Sequence, residues 1–536
     1  MKVAKACSEC RLKKRKCTVE DGASDRPGAC CPCSKRGLSA SCTLAVVPST
    51  GAKPLLPASP TPPPAVPAQR VGPPAISKDQ TVDMVHIYLD LIHDKPHTLF
   101  HPATLLRDVH DGVVPDQVLY SILAMAAPFL VTDQASTAIR PADLLEVARD
   151  ALKADLETMS LDNVRAAVLI GNLCGALGYP DAEILYFGIA LRIAQIIRLP
   201  APAPTDSVIE QEVKLRVWWS LYMIDRWSSA GTDIRRQLAD DDKHPLPMDE
   251  LQFHRLEPSA QLPPVPSRAG WSESDFQRPG LWGRMVQLAG VFAAIQDSHR
   301  RHVEGMVDNA RMEDDTQRIG DYLDSWARDL PPELACTPEN VERQARLGLG
   351  SAFVALHLGF FHYSTLLYFP FLDLQLRETD RELRFASRCR YYAAAFSDLL
   401  SLAHACKGCD AVYLVVAHMT VVSSAALLHM LLFGSDTEIP SARRRLEANF
   451  EILVKLRAYW PAVGLMMERL FTFQRACMSS ANPNTHQVDR WMGKFLLQHA
   501  LPIPDKTGLP PEGTNDYTLL SERDKLAHDA LSILRP

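Results

Sequence analysis

From about Ser77 to Gln498 apolar residues return every three or four positions, the spacing of amphipathic helices. Thr81–His93 places Val82, Val85, Leu89 and Ile92 on one side, and Val118–Leu130 is dense in Leu, Ala and Met. Val147–Met159, Val164–Leu177, Ala182–Ile197, Val213–Trp227 and Leu281–Asp297 continue the pattern, with further helices through Leu497. Asn, Gly and Pro separate them. Alternating β-branched runs are scarce, and no repeat period is visible. This text predicts a large, mainly α domain. The proline- and acid-rich residues 235–280 predict a long loop, and the end from Pro502 predicts a loop with a short helix at Ser521–Leu534.

Two uncharged stretches, Leu347–Leu372 and Ala411–Gly434, exceed the roughly 20 residues that cross a bilayer. The first contains glycines, two histidines and Pro370; the second holds His418, Thr420, Ser423, Ser424 and His429. Neither has an adjacent basic cluster to set orientation. They are expected to be buried core helices, with no membrane partner.

Ahead of this region the pattern stops. Ten prolines lie between Pro48 and Pro74, which excludes helix or sheet interior and predicts an extended tether. Charge divides at the same place. Residues 1–42 hold ten Lys or Arg against four Asp or Glu, while the remainder holds 47 against 59. A net of +6 on a short head and −12 on the body suits a head that meets nucleic acid.

Seven of the 13 cysteines fall in that head. No apolar signal core precedes them, so reduced, metal-binding thiols are expected rather than disulfides. The spacing is Cys7-x2-Cys10-x6-Cys17, then Cys30-x2-Cys33-x8-Cys42. Each C-x2-C pair chelates one ion through a tight turn, and zinc takes four tetrahedral ligands. Six thiolates supply two ions with four ligands each when two sulfurs bridge. A single-zinc ribbon and a disulfide framework are the weaker alternatives. Cys31 is read as a non-ligand, because its use would leave one residue before Cys33.

This spacing, with Cys33-Ser-Lys-Arg-Gly-Leu38, resembles the fungal Zn2Cys6 binuclear cluster family of transcription regulators. The resemblance implies two Zn2+ ions on Cys7, Cys10, Cys17, Cys30, Cys33 and Cys42, with Cys7 and Cys30 bridging. Between Cys10 and Cys17 the run Arg11-Leu-Lys-Lys-Arg-Lys16 is short enough for about two helical turns, and lysine or arginine can donate to guanine O6 and N7. The family implies a CGG-type triplet in double-stranded DNA, with Lys13 and Lys14 nearest the bases. Arg11, Arg15, Lys16, Lys35 and Arg36 then contact mainly phosphates. The heptad coiled coil usual after such a cluster is replaced by the proline tether. A homodimer therefore lacks a linker coiled coil, and monomeric binding stays open.

The body resembles the family's fungal-specific middle homology region over most of residues 79–375. The segments carrying the resemblance are His97-Thr-Leu-Phe-His-Pro102, Tyr186-Phe-Gly-Ile-Ala-Leu-Arg-Ile-Ala-Gln195 and Leu215-Arg-Val-Trp-Trp-Ser-Leu-Tyr-Met-Ile-Asp-Arg226. Leu356-His-Leu-Gly-Phe-Phe-His-Tyr and Tyr368-Phe-Pro-Phe371 extend it. Gly231-Thr-Asp-Ile stands where the family has Gly-Arg-Pro. The implied organisation is a Zn2Cys6 module at 1–45, a Pro-rich disordered linker at 46–78, an all-helical regulatory domain at 79–500 and a tail at 501–536.

On Val213–Trp227, Trp218, Trp219 and Tyr222 are expected to share a buried face, with Arg216, Asp225 and Arg226 pairing or capping around it. A pocket, where one exists, is expected near these aromatics and near His357 and His362. His93, His97 and His101 are read as surface or packing residues and His299-Arg-Arg-His302 as a solvated face. Cys406-Lys-Gly-Cys409 is set aside as neither redox nor metal site, and Arg443-Arg-Arg445 is a solvated helix start. The chain has no Walker loop, dinucleotide fingerprint, His-Glu-x-x-His or Gly-x-Ser-x-Gly, so no catalytic residues are assigned and no enzyme is expected. The implied function is a nuclear, zinc-dependent regulator of RNA polymerase II transcription, controlling a metabolic pathway or gene cluster and working with the transcription machinery or coregulators. The alternatives are a repressor with the same head, or a zinc-stabilised scaffold or RNA-binding protein.

Overall fold

The computed structural model describes residues 76–130, 139–257, 279–372, 379–479, 490–503 and 522–532. All belong to the unit Pro73–Pro536. The zinc-ligand and DNA-contact positions between Cys7 and Cys42, and the proline tether, lie outside the described residues.

Local signals start the helices. Ser77 and Gln80 form a reciprocal capping box on α1 (Lys78–Leu91), as do Ser207 and Glu210 on α7 (Val208–Gly231). His101 caps α2 (Pro102–Asp111) through its ring, Pro102 fills the first turn, and Gly112 ends the helix at φ 69°, a left-handed position suited to glycine. Helices α3 (Asp116–Ala126), α4 (Pro141–Ala154), α5 (Leu161–Ala176) and α6 (Pro180–Ile196) follow. The expected helices up to Trp227 are therefore present, with starts from two to six residues earlier. The cause is visible in the caps: proline and Ser/Thr/Asp residues open helices before the apolar periodicity becomes readable.

Residues 235–280 do not form an uninterrupted loop, because α8 (Glu250–His254) lies within them. Asp249 caps it, accepting from the N–H groups of Leu251 and Gln252. Then come α9 (Leu281–Val303), α10 (Asn309–Arg328), α11 (Pro338–Arg346) and α12 (Gly350–Tyr368). The second half contains α13 (Asp380–Ala405), α14 (Val415–Phe433), α15 (Ile439–Tyr459), α16 (Val463–Ser479), α17 (Arg490–Leu497) and α18 (Glu522–Ser532). Among the described residues there is no strand, only an isolated bridge between His93 and His97.

Helix α5 packs on α3 and α6, and α7 bears on α6 and α9. Helix α12 is held by α9, α11, α13 and α14, while α14 also meets α15, α16 and α18. Apolar side chains from Met84 to Leu531 form one continuous core. The two apolar stretches sit inside it: Gly350–Leu372 and Val415–Phe433 are long and apolar enough to cross a membrane, yet each is 94% buried by surrounding helices. Both helices are apolar all round because they have no solvent face.

Candidate functional site

Helix α7 organises the centre. Trp219 and Tyr222, three residues apart, are buried with ring centroids 5.1 Å apart at 79°. Trp218 departs from the expected shared face. It is half-buried on the adjoining side, where its Nε1 donates to Asp241 at 2.7 Å. Arg216, Asp225 and Arg226 do not pair with one another. Arg216, 1% exposed, donates from Nε to Glu212 at 2.9 Å and from Nη2 to the Met248 carbonyl at 2.6 Å. Its guanidinium lies 4.2 Å from the Phe253 ring centroid. Asp225 accepts from the backbone N–H groups of Gln237 and Leu238, and Arg226 reaches Asp240 while stacking 3.2 Å from the Tyr222 centroid. These contacts lace residues 237–248 along the helix.

The opposite face of α7 borders an internal cavity with about 110 Å³ of space for the centres of water-sized molecules. Met223, Ile224, Trp227 and Ser228 form that wall, rather than Trp218, Trp219 and Tyr222. Five methionines from separate parts of the chain line it: Met125, Met223, Met285, Met419 and Met466. Phe187, Tyr363, Tyr413 and Trp460 add aromatic surface. Two ring orientations are fixed by hydrogen bonds: Trp227 Nε1 donates to the Tyr363 hydroxyl at 3.0 Å, and Trp460 Nε1 donates to the Val412 carbonyl at 2.6 Å. The few polar groups on the lining include Lys95, Asn172, Glu183 and His499.

These polar groups differ in how they are satisfied. Lys95 Nζ donates to the Asp90 carbonyl at 2.6 Å, and burial lowers its pKa to about 8 against the opposing charges of Asp94, Asp90 and Asp410. Asn172 donates to the Val168 carbonyl at 2.9 Å. Burial raises the Glu183 carboxyl to about 8, with no charge or donor offsetting it. His499 belongs to a histidine group around Trp227. His362 stacks on that indole at 5.6 Å, His418 lies 5.5 Å from His362, and His499 lies 4.7 Å from His418. Burial lowers His362 to about 3, His418 well below its ordinary value and His499 to about 4, with neighbouring His499 or Arg469 charge adding to the effect. Both ring nitrogens of His362 and the Nδ1 atoms of His418 and His499 have no hydrogen-bond partner among the described residues.

His93, His97, His101, His299 and His357 are packing residues. His93, His97 and His101 are all buried, and none sits on a shared helix face. The His93 Nε2 accepts from the N–H groups of Leu99 and Phe100, the His97 Nε2 meets the Tyr88 hydroxyl at 2.9 Å, and the His101 ring caps α2. His357 Nε2 is bound to the Leu334 carbonyl at 3.0 Å and stands apart from the cavity lining. His299 departs from the expected solvated face: it is 5% exposed, because α9 is covered by α10, α12 and α17. Cys406 and Cys409 are free thiols, and burial with Cys406 beside it pushes Cys409 up to about 12. Arg445 is more than a solvated start, since it grips Asp398 of α13 through two bonds of 2.8 Å. Among the described residues no group of three or more His, Cys, Asp or Glu side chains is arranged to hold a metal ion.

The stretch from within α1 to just past α8 overlaps a known sequence family. Residues 85–259 match the fungal-specific transcription factor domain. The match takes in the three segments from His97 to Arg226 and stops short of Leu356 and Tyr368. A transcriptional regulatory protein of Schizosaccharomyces pombe is 22% identical over 74% of this chain and 52% of its own length. The Zn(2)-C6 fungal-type transcription factors FTF1c and FTF2 of Fusarium oxysporum f. sp. lycopersici are 21% and 22% identical, each over 79% of this chain and over 48% and 42% of their own lengths. The chain thus spans about half the length of the curated relatives it matches.

Proposed function

We propose that this chain is a nuclear, zinc-dependent, sequence-specific DNA-binding regulator of RNA polymerase II transcription. The observation that carries the reading is one conjunction: the Cys7-to-Cys42 spacing with its basic run stands on the same chain as the transcription factor domain at 85–259. Relatives named as Zn(2)-C6 transcription factors support the zinc assignment. Cys7, Cys10, Cys17, Cys30, Cys33 and Cys42 form a six-thiolate donor set that suits two zinc ions sharing two sulfurs. Zinc supplies the fold of a segment too small for its own apolar core. Lys13 and Lys14 read guanines of a CGG-type triplet, while Arg11, Arg15, Lys16, Lys35 and Arg36 hold phosphates. The helical body, by this reading, receives coregulators or the transcription machinery, and the protein is not an enzyme.

Selection of binding sites from random duplex DNA by the full chain, with zinc measured on the same preparation, tests the proposal. Two zinc ions per chain and enrichment of CGG-containing duplexes are expected. A chain holding one zinc, or one that enriches no duplex, refutes it in favour of a scaffold.

A further inference from the structure

We propose that the central cavity is a binding site for a small apolar amine, whose ammonium pairs with the Glu183 carboxylate. The inference stands apart from the DNA-binding reading and does not depend on it.

Size and lining define the apolar part. Cavities on the order of 150 Å³ admit benzene, and the space here is about 110 Å³ on a comparable scale. Five methionine side chains on its walls adapt by rotation about unbranched, polarisable chains, which extends the space to a ring with a short arm. Phe187, Trp227 and Tyr363 present ring surface favourable to a neighbouring cation.

Glu183 defines the charge. Holding a carboxyl group without a partner on an apolar lining is costly, yet the chain accommodates one here. Glu183 stands in the first turn of α6 and is half-buried against α5, where Gly175 makes room for it. A Cβ at Gly175 would lie 2.8 Å from both Cδ and Oε2 of Glu183. Among the described residues its carboxyl has no hydrogen-bond donor or cation, and burial alone raises its pKa. Lys95 on the same lining does not serve, because its ammonium is held by the Asp90 carbonyl and lies in the field of Asp94, Asp90 and Asp410. A cationic ligand supplies the missing charge. An anionic ligand meets the carboxyl and finds no free cation, and a neutral one leaves the acid protonated and gains only a hydrogen bond. When an ammonium enters at neutral pH, the proton carried by Glu183 leaves to solvent.

Titration calorimetry on the full chain with 2-phenylethylamine, 2-phenylethanol and 3-phenylpropionate tests this. The amine is expected to bind saturably, one per chain, at least about tenfold tighter than either relative of the same size. At pH 7, buffers of different ionisation heat should report release of close to one proton. Glu183→Gln should weaken the amine by about tenfold or more while leaving 2-phenylethanol nearly unchanged. Absence of saturable amine binding overturns the proposal. So does equal binding of the three compounds, or amine affinity unaffected by E183Q. The comparison of the three ligands on the unaltered chain keeps the test valid even where the variant folds poorly.

Discussion

Replacing Arg216 by alanine probes the joint on which α7, α8 and α9 converge. Its guanidinium is 1% exposed and is bound to Glu212 and to the Met248 carbonyl. It also lies 3.8 Å from Glu250, which accepts from the N–H groups of Leu281 and Trp282 and so caps α9. Alanine removes the cation and leaves two buried carboxyls, 6% and 0% exposed, without it. Loss of one partner from a buried ionic group costs about 3–5 kcal/mol. Unfolding entropy near 2.1 cal/mol/K per residue gives about 1 kcal/mol/K for a unit of roughly 460 residues. The expected fall in Tm is therefore about 3–5 °C, read by calorimetry on the full chain. The loss should depend on pH. Burial raises the folded Glu250 pKa and Arg216 lowers it, so removing Arg216 raises it further. An acid with a raised folded pKa makes the folded chain hold the proton longer than the unfolded one. Its contribution to stability is then lost as pH rises from its ordinary value through the raised one. R216A should accordingly be closer to the parent near pH 5 than near pH 7.5. A Tm unchanged at both pH values, or a deficit greater at pH 5, would refute the electrostatic account of this joint.

Four further outcomes are expected. Cys10→Ser or Cys33→Ser should lower bound zinc below two ions per chain and abolish duplex binding, measured by metal analysis and a mobility-shift titration. Lys14→Ala should cost about 1–3 kcal/mol at the selected triplet while leaving weak, non-specific binding near normal; normal specific affinity refutes the base contact. Gly171→Ala places a Cβ 2.5 Å from Cε1 of Phe187, so overpacking should lower stability by about 1–3 kcal/mol, read in a thermal melt. His362, His418 and His499 have lowered folded pKa values, so the unfolded chain takes up protons first as pH falls below about 6.5. Stability should fall from there toward about pH 4, by up to about 1.4 kcal/mol per pH unit for each histidine, and His362→Phe should flatten the profile.

The helices were legible because periodicity and caps are local. Leu347–Leu372 and Ala411–Gly434 are legible as core because polar residues such as His362, His418 and Ser423 interrupt them and no basic cluster flanks them. Trp219 and Tyr222 were placed correctly because three residues bring side chains onto one side of a helix. Trp218 was not, since its hydrogen bond to Asp241 and its contact with His244 depend on how residues 237–248 return along α7. The cavity lies on the other side of α7 from the expected aromatics, whereas its expected place beside the uncharged helix of His357 and His362 holds through Ala355, Leu356, Gly359 and Tyr363. Its lining joins Met125, Met285, Met419 and Met466, and nothing local marks residues so far apart as neighbours. Glu183 carries no local signal beyond that of an acid in a first helical turn, favourable to the helix dipole. Gly171 and Gly175, four apart on α5, were the overlooked signal: glycines at that spacing let a neighbouring helix approach closely, and α6 does so.

The segment laced along α7 carries an evolutionary consequence. Most of its attachments are made by helix side chains to the segment's backbone: Asp225 to the N–H groups of Gln237 and Leu238, Arg226 to the Ala239 carbonyl, Trp219 to the Pro245 carbonyl, and Arg216 and Glu212 to the Met248 carbonyl and N–H. Arg226 and Tyr222 reach the Asp240 side chain, and Trp218 reaches Asp241 and the His244 ring. Backbone atoms are common to every amino acid, so residue identity between 237 and 248 is free to drift wherever a side chain is not itself gripped. Length is not free. Inserting or deleting one residue displaces the later attachments by roughly 3.3 Å, more than a hydrogen bond tolerates. Homologous chains should therefore vary in letters here while keeping the count, with the constancy written into the facing helix.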